Sequence, residues 1–280
     1  MTQLHLSHGH LGARPVGRRG LPGWMPYLPL AVAVGLRLAG GAMADLSYLV
    51  IAASAIFGPA FAIRALVASW ALSMVNPGIT PETSAVGTGR YLVLLGAAFS
   101  VFMHSRTAAR RQAPDRFISG TVLLGLFIVL HALLVSPLVD VSVLKALSWT
   151  VAMVTSVTAW RCLHDWERED MAKQLYAALL LLLLLSLPLA ATPLGYLRNG
   201  TGFQGLLNHP QAWGPAMALL CVWATTRILY EARPRWWLFA TAGLALLAIL
   251  MSEARTAGLA AVLAVAVAVL LGSAMTGRSV

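Results

Sequence analysis

Seven side chains in two short stretches have the types and spacing to grip an anion and orient a polar partner. The first stretch, Leu194 to Gly214, carries Arg198, Gln204, Asn208, His209 and Gln211. The second, Ser252-Glu253-Ala254-Arg255, carries Ser252 and Arg255. A guanidinium presents its donors in a planar fork that matches a phosphate or pyrophosphate. An imidazole titrates near neutrality and can take a proton or bond a hydroxyl. Both stretches interrupt long apolar runs. Backbone inside lipid must satisfy its own polar groups, so a polar, glycine-rich break lies outside the hydrocarbon or lines a cavity.

Each residue has a plainer reading beside the chemical one. Arg255 is expected at the start of a helix, where free backbone N–H groups point the same way as its side chain. Its alternative is a snorkelling arginine or a partner for Glu253. Arg198 is the second candidate clamp, or else a solvated loop cation. Pro210 suits the first turn of a helix, and Asn208 is the expected cap. His209 reads as a substrate contact rather than a general base. Gln204, Gln211 and Ser252 would orient oxygen atoms.

Outside the two stretches, His131 falls within an apolar run, and Asp140 and Lys145 flank the next break. An ionisable group inside a span is a functional candidate, although a histidine bonded to a neighbouring helix is commoner. Asp45 and Glu82 have no partner visible in sequence. His5, His8 and His10 read as part of a polar tail. The chain has no Asp-x-Asp, His-Glu-x-x-His, Walker or Cys-x-x-Cys motif, so neither a metal nor another cofactor is expected. Cys162 and Cys221 form no paired motif.

The elements that hold these residues are apolar. The 280 residues are 59% hydrophobic and 11% charged, with a mean hydropathy of +0.76. A soluble domain carries about 25% charged residues. The fold class expected is all-α: a polytopic transmembrane helical protein of about ten spans. Residues 1–23 form a cytoplasmic N-terminal tail. Residues 24–280 form the transmembrane domain, with an outer loop at 193–212. The ten apolar runs are Tyr27–Ala42, Leu46–Phe57, Phe61–Val75, Tyr91–Met103, Phe117–Val135, Val143–Trp160, Leu175–Thr192, Ala212–Leu229, Trp236–Met251 and Thr256–Gly272. The stretch Arg161–Gln174 reads as a mixed-charge loop.

The net charge of +10 comes from basic residues scattered between apolar runs. That pattern fits loops against anionic lipid and offers no strip for nucleic acid. With the N-terminus inside and the runs alternating, 15 of the 20 Lys and Arg fall at inner ends and 5 at outer ends. Both candidate stretches then lie on the outer side.

Phe203-Gln204-Gly205-Leu206-Leu207-Asn208-His209-Pro210-Gln211, with Gly214, resembles the first short motif of the bacterial O-antigen ligase and polymerase superfamily. Ser252-Glu253-Ala254-Arg255-Thr256 resembles its second. The resemblance implies a GT-C type glycosyltransferase of the inner membrane, working on the periplasmic face. Its donor would be a glycan on undecaprenyl pyrophosphate. A ligase passes the glycan to lipid A–core; a polymerase passes it to another repeat unit. The family's outer arginines hold the pyrophosphate, and Arg255 occupies a matching position. Gly202 and Phe203 stand where the family usually has its first arginine, which leaves Arg198 as the nearest one. Family members continue into a large outer loop with a catalytic histidine and further spans, so the resemblance implies a missing C-terminal part. The alternatives from other classes are a membrane transporter, with His131 and Lys145 in its pathway, and a non-catalytic fragment.

Overall fold

The computed structural model describes residues 25–80, 86–108 and 116–276. The tail at 1–23 with its histidines, Glu82, Arg110 and Arg111 lie outside the described residues. Among the described residues the chain forms ten α-helices and no strand. They are α1 (Leu28–Ala39), α2 (Gly41–Ala55), α3 (Pro59–Ser73), α4 (Val86–Ala108), α5 (Arg116–Val135), α6 (Val139–Cys162), α7 (Asp165–Ser186), α8 (Pro210–Tyr230), α9 (Trp236–Met251) and α10 (Arg255–Thr276).

Each apolar run corresponds to one helix, but the lengths differ. Arg116–Val135, Val139–Cys162, Asp165–Ala191 and Pro210–Tyr230 are long and apolar enough to cross a membrane. Helices α1, α2, α3 and α9 have 12, 15, 15 and 16 residues. A span of a bilayer core takes about 20.

The expected loop Arg161–Gln174 is mostly helix, because α7 begins at Asp165. Glu167 accepts from the His164 N–H at 2.8 Å and closes a capping box. Asp165 pairs with Arg168 at 3.1 Å, and Glu169 with Lys173 at 2.7 Å. Charges three and four apart support a helix, so this charged stretch extends α7 rather than breaking it.

Small residues line much of the interior, alongside a few large side chains such as Tyr48 and Trp213. Ala33, Ala55, Ala62 and Ala97 are fully buried, while Leu134 is 84% exposed and Leu123 and Phe127 are also exposed. A water-facing fold would reverse this distribution. In lipid no hydrophobic force joins helices, and small side chains gain contact by letting backbones approach. Gly96 of α4 shows the effect: a Cβ there would lie 3.1 Å from the Ala52 carbonyl oxygen of α2.

Two buried clusters result. One joins α1 to α4 with Ala159 of α6. The other joins α7 to α10 with the segment before α8. Helix α3 ties them together. Near one end, the Arg64 Nε donates to Gln174 Oε1 of α7 at 2.9 Å. At the other end, Trp70 and Met74 pack against the second cluster. The hairpin of α5 and α6 joins the rest through α6 on α3 and α4. The C-termini of α3, α7 and α9 and the N-termini of α8 and α10 meet at one end, where the two candidate stretches lie.

Candidate functional site

The segment between α7 and α8 is a welded plug. After α7 the chain makes two 3-10 turns, Leu187–Ala191 and Pro193–Gly195. Tyr196 and Phe203 then pair as an isolated antiparallel bridge, closing a short hairpin. Its turn is set by Gly200 N–H donating to the Leu197 carbonyl at 2.8 Å. Arg198 sits in that turn and is exposed.

Below the turn the plug is buried and tied to three helix ends. The Phe203 N–H donates to the Met251 carbonyl, at the end of α9, at 2.8 Å. The Leu206 N–H donates to Ser186 Oγ, at the end of α7, at 3.0 Å. Past the end of α3, the Asn76 N–H donates to the Leu206 carbonyl at 2.8 Å, and the Asn208 N–H donates to Met74 at 2.7 Å. Asn76 is 3% exposed. Its Nδ2 donates to the carbonyls of Leu194 and Gly205 at 2.7 and 3.2 Å, and its Oδ1 accepts from the Gly78 N–H at 2.9 Å. One amide side chain thus serves three backbone groups.

Two glycines permit these approaches. Gly205 has φ +56, and a Cβ there would lie 2.7 Å from Ser186 Oγ. Gly202 has φ +61, and its Cβ would lie 2.8 Å from Pro210 and 3.2 Å from the Ser252 carbonyl. Both the left-handed backbone and the close contact exclude a side chain. An arginine therefore has no room at 202. At 203 the Phe ring is buried edge-on between Tyr196 and Trp213, with centroids 5.4 Å away in each case. Any guanidinium from this segment comes from Arg198.

The second stretch forms the turn between α9 and α10, and the plug rests on it. A Cβ at Gly214 would lie 2.5 Å from the Ala254 Cβ and 3.2 Å from Ser252 Oγ. Ser252 is 2% exposed. Its hydroxyl donates to the Ile249 carbonyl at 2.7 Å and accepts from the Ala254 N–H at 3.3 Å, so it is committed within the turn. Glu253 follows with φ 56, the one positive φ outside glycine among the described residues. That conformation costs a non-glycine residue roughly 1–2 kcal/mol. Arg255 then opens α10 and is exposed.

The expected cradle of free amides at Arg255 is largely absent. The Arg255 N–H donates to the Glu253 carbonyl at 2.9 Å. Those of Ala257 and Gly258 donate to Ala254 at 3.0 and 3.2 Å. The tight turn supplies its own acceptors, so an anion here relies on the guanidinium and the helix dipole. Among the described residues neither Arg255 nor Arg198 makes an ion pair, which leaves Glu253 unpaired with Arg255.

The cap of α8 is His209, not Asn208. The His209 Nδ1 accepts from the Gln211 N–H at 3.1 Å. Pro210 forces the preceding residue into extended backbone, the conformation a cap requires. With Nδ1 an acceptor, the proton of the neutral ring is assigned to Nε2. His209 then presents a donor to solvent, which suits a sugar or phosphate oxygen better than proton abstraction.

The seven residues therefore divide. Arg198, His209, Gln211 and Arg255 are exposed at one end of the bundle. Gln204 and Ser252 are buried and Asn208 is half-buried. Gln204 Nε2 donates to the Tyr196 carbonyl at 3.1 Å. The Oε1 of Gln204, the Oδ1 of Asn208 and the Nε1 of Trp213 are buried with no protein partner. Sequence reading missed Asn76, Ser186 and Trp213. Asn76 carried a signal, because Asn before Pro-Gly marks a turn closed by its own side chain.

The remaining candidates lie elsewhere. His131 and Lys145 are exposed on α5 and α6, whereas pathway residues in membrane proteins face the bundle interior or a water-filled cavity. Cys162 and Cys221 are free thiols. Among the described residues no three His, Cys, Asp or Glu side chains converge as metal ligands. Comparison with protein families, with curated proteins and with solved structures gives no match to this chain.

Proposed function

We propose that this chain is an integral inner-membrane protein of the O-antigen ligase type, about ten helices deep in or across the bilayer. It transfers a glycan from undecaprenyl pyrophosphate to lipid A–core at the periplasmic face. One observation carries the reading. The two motif stretches, far apart in sequence, meet in the fold: the Phe203 N–H donates at 2.8 Å to Met251, the residue just before Ser252, and Gly214 packs against Ala254. Their exposed cations are then free to act on one ligand at one end of the bundle.

In this reading Arg255 and Arg198 neutralise the pyrophosphate as it leaves, the interaction that grows most in the transition state. The His209 Nε2–H and the Gln211 amide bond sugar or phosphate oxygens. Gln204, Asn208 and Ser252 shape the plug that carries them. A polymerase of the same superfamily would use the same donor end and differ in its acceptor.

The test is transfer in proteoliposomes by the intact protein that carries this chain, with a glycan on undecaprenyl pyrophosphate and lipid A–core as acceptor. Glycosylated lipid A–core is expected, and loss of product in a folded Arg255→Ala variant. Movement of the intact donor between leaflets without cleavage would contradict the reading and identify a transporter.

A further inference from the structure

The α1–α2 hairpin carries a polar group of side chains that the candidate site does not use. Arg37, in the last turn of α1, is 3% exposed, and Tyr48 of α2 is 1% exposed. The Tyr48 hydroxyl is buried with no protein partner among the described residues, a costly state for a group that can donate. The charges that act on it come from three helices: Arg37 of α1, Arg90 of α4 and Asp45 of α2. Helix α4 reaches the ring because residue 89 is glycine, where a Cβ would lie 2.6 Å from Tyr48 Cγ. That contact carries the next residue, Arg90, to the same place. Arg90 is exposed and makes no ion pair among the described residues.

The start of α2 adds to this positive end. The helix has 15 residues, no side chain caps it, and its first turn holds no acid. A Cβ at Gly40 or Gly41 would meet nothing within 4 Å, so the space above the turn is open. Side chains on a helix lean toward its N-terminus, which turns Tyr48 the same way. Two guanidinia, an orphan hydroxyl and an uncapped helix start are all donors, and together they suit an oxyanion. The surroundings choose which one. Helices α1 and α2 have 12 and 15 residues, about 18 and 22 Å at 1.5 Å per residue, against a hydrocarbon core of about 30 Å. A hairpin this short thins the bilayer and draws headgroups toward its turn. Leu38, Met43 and Leu46 are exposed on the same hairpin and offer apolar surface to acyl chains. We propose that the junction of α1, α2 and α4 binds the phosphate of an anionic phospholipid. Tyr48 Oη, Arg37 and Arg90 donate to its oxygens, and the α2 dipole favours its charge. This site is independent of the plug and of the donor reading.

The probes are phosphatidylglycerol, phosphatidylcholine and inorganic phosphate, each offered to the purified full chain in detergent. Native mass spectrometry counts retained lipid, and thermal unfolding is followed with and without phosphatidylglycerol. Tyr48→Phe removes only the hydroxyl, and Arg90→Gln only the charge of an exposed side chain. Lys145→Gln, which removes an exposed cation of α6, is the control. Wild type is expected to retain phosphatidylglycerol in preference to phosphatidylcholine and to unfold at a higher temperature in its presence. Tyr48→Phe and Arg90→Gln are each expected to weaken retention by about tenfold. Each is expected to unfold as wild type without lipid and to lose most of the gain with it. Lys145→Gln is expected to change nothing. Phosphatidylglycerol retention indifferent to both Tyr48→Phe and Arg90→Gln would overturn the site. A Tyr48→Phe variant destabilised equally with and without phosphatidylglycerol would give the hydroxyl a role within the fold and overturn it too. Displacement of phosphatidylglycerol by an equal concentration of inorganic phosphate would assign a soluble anion and overturn the lipid.

Discussion

Gly214 of α8 lies so close to Ala254, ahead of α10, that a Cβ at 214 would sit 2.5 Å from the Ala254 Cβ. The contact joins two stretches that the sequence separates by a whole helix pair. It fixes where α8 crosses α10, and so fixes Arg255 relative to the plug that carries Arg198 and His209. Gly214→Ala is expected to push the helices apart and to lower stability by about 1–3 kcal/mol, the usual cost of overpacking. Adding Ala254→Gly removes the clashing atom and is expected to restore at least part of the loss, leaving the softer contact with Ala257 at 3.1 Å. Thermal unfolding of the single and double variants in detergent checks this coupling; additive losses would show that the contact does not set the crossing.

Asn76 makes a second testable weld. Its side chain satisfies the carbonyls of Leu194 and Gly205 and the N–H of Gly78. Asn76→Leu keeps the branched shape but strands those groups, at a cost of about 1–3 kcal/mol for a buried orphan. Limited proteolysis should then cut first between 194 and 208. Arg198→Ala, at the exposed hairpin turn, is expected to leave both stability and the cleavage pattern unchanged.

His209 separates capping from chemistry. His209→Ala removes the acceptor for the Gln211 N–H and is expected to cost about 0.5–2 kcal/mol. His209→Asn supplies a cap of comparable strength and is expected to retain wild-type unfolding. If the ring acts only as a donor to substrate, transfer by His209→Asn persists with its loss of roughly tenfold or less falling in KM. A collapse of kcat in His209→Asn would give the imidazole a proton-transfer role.

The ten helices were legible because the chain alternates long apolar runs with Gly, Pro and charge. Trp236–Met251 matches its run at both ends. The misreadings are local and physical. Asp165 to Gln174 looked like a loop because its charges hid a helix start that the His164–Glu167 box and the spaced ion pairs stabilise. Asn208 looked like the cap of α8, but Pro210 places the extended residue at 209 and leaves the Asn208 N–H to bond Met74. The residue types of the candidate site were visible in sequence; the division into exposed and buried members was not. Ser252 and Gln204 are read as contacts from their type, yet the Ser252 hydroxyl and the Gln204 Nε2 hold the turn and the plug. The role of α3 was invisible for the same reason, since a tie such as Asn76 to Gly205 spans 129 residues.

The most direct test of the central claim is equilibrium binding of inorganic pyrophosphate to the full chain, wild type against Arg255→Ala and Arg255→Lys. A guanidinium that clamps the anion with its planar fork predicts saturable binding by wild type, loss in Arg255→Ala and only partial recovery in Arg255→Lys, whose ammonium is a point charge. Each variant is checked for wild-type unfolding, since the exposed Arg255 side chain carries no ion pair of the fold. Equal pyrophosphate affinity in wild type and in a folded Arg255→Ala would contradict the account.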